Sequence, residues 1–265
     1  MQPFRDIYVP LSTNPIIAQR HNLEQWLMIR AYVKKRRFSR FAHGDTDLMM
    51  YCAVDDYWER FAGFPWAMGH TGAHSAHMLF VLDVSVLDRY CGFLMDMYLD
   101  LDLFAKIYKH YRWHRENIGA GGIGDMAALS FFIDGGHSTS YDLNQVVDGA
   151  VFDQSIRDVR LTDRTVGYRS EHGIKTVIFD GGNPYFLDIE GNRVRALTLH
   201  FQGQTKDLMR RYLESPSARI RAEYANARML ETMHAKSDRA GVMRRHYPEG
   251  AAKRVRRLLF GRKPK

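Results

Sequence analysis

Two short segments of the chain carry side chains whose types and spacing suit a metal ion on a diphosphate. The first is Asp45-Thr46-Asp47, whose two carboxylates are two residues apart and so share one side of an extended segment. Paired carboxylates at the end of a strand are hard oxygen ligands for Mg²⁺ or Mn²⁺. The same triplet is also typical of a solvated turn or a helix-capping acidic pair. The triplet alone leaves both interpretations open.

The second segment runs from His200 to Lys206 (HFQGQTK). A histidine at the end of a predicted strand can ligate a metal, Gly203 lets backbone approach closely, and Lys206 can act as a counter-charge to phosphate. The alternative is a histidine satisfied within the protein and an ordinary turn glycine.

Together, Phe41–Leu48 (FAHGDTDL) and Leu199–Lys206 (LHFQGQTK) resemble the GT-A glycosyltransferases related to glycogenin and the bacterial galactosyltransferases. The resemblance implies a Mn²⁺ or Mg²⁺ site with three protein ligands, which are Asp45, Asp47 and His200. It also implies that Gly203 and Lys206 contact the phosphates. The family motif usually continues Lys-Pro-Trp, whereas Lys206 is followed here by Asp207-Leu208. The chain is therefore similar to a divergent bacterial branch of that family.

Two further segments resemble the sugar and acceptor side of the family's site. Gly69–Ser75 (GHTGAHS) contains His70 and His74, which can contact hydroxyls or can simply be packed. Asp125 follows a glycine at the start of a predicted helix, where it accepts hydrogen bonds from sugar hydroxyls or acts as a plain N-cap. Among the residues of these two segments, the resemblance assigns catalytic roles to His74 and Asp125.

The function implied is transfer of a sugar from a nucleotide donor, first of all a UDP-sugar, to a glycan or glycolipid acceptor of the cell surface. Two rival functions remain open. One is a metal-dependent hydrolase built from Asp45, Asp47 and some of the twelve histidines. The other is a non-catalytic remnant or binding module.

The apolar pattern predicts an α/β chain with a GT-A-like (Rossmann-like) mixed sheet flanked by helices. Helices are predicted at 22–37, at 84–98 with an extension toward Arg115, and at 126–133. Strands are predicted at 38–43, 48–50 and 78–82, and 174–180, 185–189 and 194–201 form an antiparallel meander. Residues 1–206 would form the catalytic domain, and residues 207–265 a C-terminal extension with a helix over 207–236 and a shorter one over 251–260.

The charge is concentrated at the C-terminal end. Of the 38 Lys and Arg and 30 Asp and Glu, residues 239–265 hold ten basic and one acidic, so residues 1–238 hold 28 and 29. The neutral body argues against nucleic acid as a partner, and the basic tail predicts docking on an anionic membrane surface. With no apolar run of spanning length and only Cys52 and Cys91, we expect a cytoplasmic protein.

Two further motifs are typical of dinucleotide binding and of nucleic-acid binding. The sequence around each motif argues against that function. Gly119–Gly124 (GAGGIG) matches the dinucleotide fingerprint but follows a polar stretch instead of a strand, so it predicts a mobile loop that orders over the donor sugar. Lys106–Arg115 (KIYKHYRWHR) interleaves basic and aromatic residues, and a helix with buried aromatics explains it.

Only 44 residues precede Asp45. GT-A enzymes hold the base and ribose largely through an earlier β-α-β unit, so the resemblance implies a fold incomplete at its N-terminus. We expect a start codon placed too late or a truncated gene, since a sheet without its first strands exposes an apolar edge. The alternative is a protein that binds its donor through metal and diphosphate contacts alone.

Overall fold

The computed structural model of the protein describes residues 2–70, 72–157, 167–171 and 173–214. Helices and multi-stranded sheets alternate along these residues, which confirms the predicted α/β class. The chain divides into two compact units. Among the described residues, the first contains those up to Arg40 and Asp83–Thr139, and the second contains Phe41–Leu82 and those from Ser140 to Glu214. The part of the predicted 207–236 helix beyond Glu214, the predicted helix at 251–260 and the basic tail lie outside the described residues.

The first unit is helical. Its described residues form the helices α1 (Gln2–Ile7), α2 (Ile16–Arg36), α3 (Ser85–Leu99), α4 (Leu101–Asn117) and α5 (Asp125–Asp134). Trp26 of α2 packs edge-to-face on Tyr90 of α3, and Tyr90 does the same on Phe132 of α5. All three rings are buried, so the aromatic residues that gave these helices their amphipathic pattern form the core of the unit.

The helix predicted from 84 toward 115 is two helices that meet at Asp100. This residue has an extended backbone (φ −80°, ψ 123°), ends α3 and begins α4. Its carboxylate accepts a hydrogen bond from the backbone N–H of Leu103 at 2.8 Å. An aspartate that caps a new helix stabilises the break, because it satisfies a donor that has no partner within the helix.

The glycine-rich loop is held against the N-terminal segment of the same unit. Ile123 N–H donates to Leu11 O at 2.7 Å, and Thr13 N–H donates to Gly121 O at 2.9 Å. A Cβ on Gly122 would overlap the backbone of Leu11. Gly122 therefore serves close backbone packing, while the mobility of the loop and its ordering over a donor sugar stay predictions.

The second unit is built mainly of strands. In chain order they are β1 (Phe41–Gly44), β2 (Leu48–Met50), β3 (Trp66–His70), β4 (His74–Val81), β5 (Tyr141–Asp142), β6 (Ala150–Phe152), β7 (Ser170–Glu171), β8 (Ile174–Lys175), β9 (Val177–Asp180), β10 (Asn183–Leu187) and β11 (Arg193–His200). A 3-10 helix (Val54–Phe61) follows β2, and a second (Gly203–Thr205) leads into α6 (Lys206–Glu214).

These strands form two larger sheets and one two-stranded ribbon. The first sheet has the order β1-β4-β3-β5, with β3 and β5 parallel and the other pairs antiparallel. The second has the order β2-β11-β10-β9, and β6 pairs in parallel with β11. The predicted meander is confirmed as β9, β10 and β11. The parallel pairings were not predicted, since they join segments that are distant in the chain.

The core of the second unit is apolar and aromatic. Phe61, Phe80 and Phe152 come from the first 3-10 helix, β4 and β6, and all are buried in one cluster. A second cluster packs Phe186, Leu199 and other residues of the meander around Phe201. Among the described residues, no helix is long and apolar enough to cross a membrane.

Candidate metal centre

The Asp-x-Asp triplet forms a turn that carries the chain from one sheet of the second unit to the other. Asp45 continues the β1–β4 pairing, because its N–H donates to His77 O at 2.8 Å. Asp47 continues the β2–β11 pairing, because its carbonyl accepts from the N–H of Phe201 at 2.9 Å. Each aspartate is thus anchored to a different sheet, and the turn holds both carboxylates at the junction.

His200 is the last residue of β11 and lies opposite Leu48 of β2. Its Nδ1 lies 2.6 Å from the backbone carbonyl oxygen of Gln154. A carbonyl can only accept, so Nδ1 carries a proton, and Nε2 of the neutral ring then presents a lone pair. A hydrogen bond from Nδ1 to a carbonyl is the arrangement that orients metal-binding histidines.

One ligand atom each from Asp45, Asp47 and His200 lies within 4.8 Å of the others. His200 Nε2 is 3.5 Å from Asp47 Oδ1. Two lone-pair atoms this close repel each other unless a cation or a proton lies between them. Two carboxylates and an imidazole suit Mn²⁺, and the carboxylates also suit Mg²⁺. The residues therefore fit a divalent metal.

Lys206 begins α6 and places its Nζ 2.9 Å from Asp47 Oδ2. Its side chain is 57% exposed, so it can reach a bound anion without leaving a buried environment. Gly203 lies three residues earlier with a positive φ of 64°, and no atom lies within 4 Å of the position that a Cβ would take. The backbone there is open to a ligand, while the positive φ disfavours other residues.

The electrostatics of the group favour a cation. Although Asp45 is exposed, neighbouring groups displace part of the water around its carboxylate, and this desolvation raises its pKa. His200 acts in the opposite direction, Asp47 raises the pKa further, and Lys206 lowers it. Two carboxylates and one ammonium leave the group with a charge of about −1 when His200 is neutral, and a dication would reverse this sign.

A buried network behind His200 was not predicted. The His77 ring stacks on the His200 ring with centroids 4.6 Å apart and planes 10° apart. His77 Nε2 lies 3.1 Å from Asp153 O, so the contact makes this nitrogen the donor. The Asp153 carboxylate accepts from His200 N–H at 3.0 Å and from Lys175 Nζ at 2.7 Å. Burial, and then the proximity of His200, lower the pKa of His77 to about 3, so this ring is neutral.

The only local signal for this network was an aspartate directly after the apolar pair Val151-Phe152. The pattern places Asp153 at a strand end, where side chains often reach a site. The pattern does not indicate which strand pairs with this segment. Lys175 lies in a segment whose pattern predicts a strand and gives no sign of a functional site. Hence neither residue could be assigned to the site before the fold was known.

The end of the β3–β4 hairpin lies beside the segment that holds His200. A Cβ on Gly69 would overlap the Gln154 side chain and would come within 2.8 Å of His77 Cε1, so only glycine fits there without displacement. The adjacent His70 and His74 are paired in register, with ring centroids 4.3 Å apart. His70 also contacts Ser140 Oγ at 2.7 Å through Nε2. His70 is therefore engaged within the protein, and its ring faces His74.

Comparison with known proteins gives no identification. No protein-family model matches the chain, and neither a curated protein nor a solved structure matches it.

The predicted site residues are thus distributed as follows. The second unit brings together the three predicted metal ligands, with Lys206 in contact with Asp47. His74 lies in the hairpin of the same unit. Asp125 belongs to the first unit, where it is the first residue of α5 and not its N-cap, which is Gly124. Chemically, the arrangement can hold a dication and present an ammonium beside it.

Proposed function

We propose that the protein is a metal-dependent glycosyltransferase that transfers a sugar from a nucleotide-sugar donor to an acceptor hydroxyl. The observation that supports this best is the convergence of Asp45, Asp47 and His200 from two distant segments within 4.8 Å, with Lys206 beside them. A solvated turn or a capping pair would not need a histidine from another strand, oriented through its Nδ1.

The donor set favours a metal that binds a diphosphate. When bound, Mn²⁺ or Mg²⁺ would neutralise charge that develops on a departing diphosphate. The turn and β11 would supply three ligands, which leaves positions on the ion for phosphate oxygens. Lys206 would add a second positive charge from its exposed position, and the open backbone at Gly203 allows an anion to approach.

The residues around His200 would keep the imidazole ready to bind. The Gln154 carbonyl holds the proton on Nδ1, and the stacked ring of His77 restricts rotation of the His200 ring. His77 would not compete with His200 for the cation, because its ring is buried and both of its nitrogens are engaged, Nε2 with Asp153 O and Nδ1 with Ser75 Oγ. The site is thus preorganised by the protein, which lowers the cost of binding.

The finer fold and the biological role belong to the same proposal. We propose a GT-A-like arrangement, because an Asp-x-Asp turn follows a strand and a histidine-glycine-lysine motif ends the neighbouring sheet. The donor would be a UDP-sugar and the acceptor a cell-surface glycan or glycolipid. His74 would contact hydroxyls from the hairpin end.

The first test is metal-dependent nucleotide binding. Mn²⁺ with UDP should raise the melting temperature of the parent protein, since a ligand at a hundred times its Kd stabilises a fold by about 2.7 kcal/mol. Asp45→Asn, Asp47→Asn and His200→Gln should remain folded and lose this response. Asp56→Asn removes an exposed carboxylate of the same unit and should respond like the parent. If His200→Gln binds Mn²⁺ and UDP as the parent does, the proposed site is wrong.

The second test separates transfer from the rival functions. A transferase should release UDP from a UDP-sugar much faster with acceptor than without it. Equal rates with and without acceptor would indicate a hydrolase. Tight binding without turnover on a broad panel of donors and acceptors would indicate a binding module.

A further inference from the structure

The C-terminal end of α2, in the first unit, combines exposed aromatic and basic side chains. Met28, Tyr32 and Phe38 are 49%, 53% and 42% exposed, although large apolar groups usually turn inward. Met28 and Tyr32 are four residues apart and so share one face of the helix. We call the set Met28, Tyr32, Lys35, Arg36, Arg37 and Phe38 the α2 patch.

The C-terminal cap of α2 places the Tyr32 and Phe38 rings next to each other. Arg37 adopts a left-handed backbone (φ 57°), and the N–H of Phe38 donates to Val33 O at 3.2 Å. This cap turns the chain back, so that the Phe38 ring meets the Tyr32 ring edge-to-face at 6.0 Å. The Arg36 guanidinium lies 5.6 Å from the centre of the Tyr32 ring. The patch therefore presents rings and cations side by side.

The chain segment that carries the patch has charged side chains of one sign only. Residues 25–44 contain six Lys and Arg and no Asp or Glu. Asp88 of α3 pairs with Lys34 at 2.6 Å and lies 3.8 Å from Arg30. Within the part of the chain that the structure describes, Lys35 and Arg37 have no acidic partner. Their positive charge is thus available to an anionic surface.

We propose that the α2 patch docks on an anionic lipid membrane surface. Tyr and Phe rings are stable at the boundary between headgroups and acyl chains, and flanking Lys and Arg are attracted to anionic headgroups. Nucleic acid fits less well, because exposed Met28 offers it neither a charge nor a ring for stacking, whereas an apolar side chain gains from burial among acyl chains. The α2 patch shares no residue with the metal centre or with the basic segment 239–265, and the proposal does not depend on sugar transfer.

Co-sedimentation of the full-length protein with vesicles tests the proposal. One set of vesicles is pure phosphatidylcholine, and the other contains about one third phosphatidylglycerol. Lys35→Gln with Arg37→Gln should weaken binding to the anionic vesicles by roughly twenty-five-fold, since each basic residue contributes about a factor of five. Tyr32→Ser with Phe38→Ser should weaken it by roughly tenfold through lost apolar burial.

The matched control lies on α4 of the same unit. Lys106→Gln with Lys109→Gln removes the same charge from an exposed surface, and Trp113→Ser removes a ring that is 53% exposed. These variants should bind anionic vesicles like the parent.

Equal partition of the parent and both patch variants would overturn the proposal and leave the tail as the membrane contact. Loss of binding to duplex DNA or RNA in the patch variants, with vesicle binding unchanged, would make nucleic acid the partner and would equally overturn it.

Discussion

The buried ion pair behind His200 offers a direct test of how the second unit is held together. Lys175 Nζ lies 2.7 Å from Asp153 Oδ1, and the two side chains are 12% and 0% exposed. Lys175→Met removes the cation and leaves the carboxylate in the interior. Methionine keeps most of the length and apolar contact of lysine over the rings of Tyr168 and Phe186. The substitution therefore isolates the loss of charge.

The expected loss of stability is large. Removing one partner of a buried pair costs about 3–5 kcal/mol, because the remaining charge has lost both its water and its counter-ion. The Asp153 carboxylate would still accept from the N–H of His200 and of Ser155, which places the expected cost at the lower end, near 3 kcal/mol. For a chain of this size, that corresponds to a fall in melting temperature of roughly 10 °C.

Urea unfolding followed by circular dichroism measures the change in unfolding free energy, and native-state hydrogen exchange of the β11 amides locates it in the second unit. Lys106→Met is the matched control, because this lysine is exposed on α4. Its unfolding free energy should stay within about 0.5 kcal/mol of the parent.

A second variant distinguishes charge from packing. Lys175→Met combined with Asp153→Asn removes the buried charge while keeping a side-chain oxygen that can accept from His200 N–H. It should recover most of the lost stability. A Lys175→Met protein within about 1 kcal/mol of the parent would show that Asp153 is effectively solvated, and would refute its role as a buried anchor of His200.

Three further changes probe the metal centre itself. Gly69→Ala should weaken Mn²⁺ binding by about tenfold in a calorimetric titration, because its Cβ would come within 2.8 Å of Cε1 of the buried His77 ring, which stacks on His200. Gly92→Ala, with open space around its Cβ, should not weaken it. Desolvation raises the pKa of Asp45 above its unfolded value, so the charged carboxylate destabilises the fold once pH rises through the folded pKa. Asp45→Asn should therefore raise the melting temperature of the metal-free protein at neutral pH. The same variant should lose the stabilisation by Mn²⁺. His77 has its pKa lowered to about 3 and is neutral in the folded protein, so below about pH 6.5 it takes up a proton when the protein unfolds. In urea unfolding, the free energy of unfolding of the parent should therefore fall between pH 7 and pH 5 by about 2 kcal/mol more than that of His77→Gln. The first expectation is contradicted if Gly69→Ala binds Mn²⁺ with the affinity of the parent, and the second if Mn²⁺ still stabilises Asp45→Asn. The third is contradicted if the stability of His77→Gln depends on pH as that of the parent does.

Local patterns along the chain determined several elements correctly. Helical spacing from Asn22 to Arg37 predicted α2, although the helix begins at Ile16, directly after Pro15. The meander followed from apolar segments separated by glycine turns, since strand alternation and turn chemistry are both local properties. Side-chain types marked Asp45 with Asp47, and separately His200, as residues that can bind a metal, and the resemblance to a glycosyltransferase family joined them into one predicted site.

Other features depended on pairings that no local pattern encodes. The parallel contact of β6 with β11 places Asp153 and Gln154 beside His200, yet the two strands lie some forty residues apart in the chain. The tertiary structure likewise decided that Gly119–Gly124 packs on Leu11–Thr13 and that Asp125 belongs to a different unit from the metal centre. Neither feature follows from the spacing of apolar residues along the sequence.

The sequence by itself thus determined which residues could bind a metal and which segments would be helix or strand, because both depend on the residue and its near neighbours. Only the tertiary structure decided that the Asp-x-Asp turn crosses between two sheets, so that Asp45 is tied to β4 and Asp47 to β11. It also decided that Gln154 orients His200 while His77 and Asp153 support it from behind. The physical reason is that hydrogen bonds and burial between distant strands set these positions, and their energies depend on the whole fold.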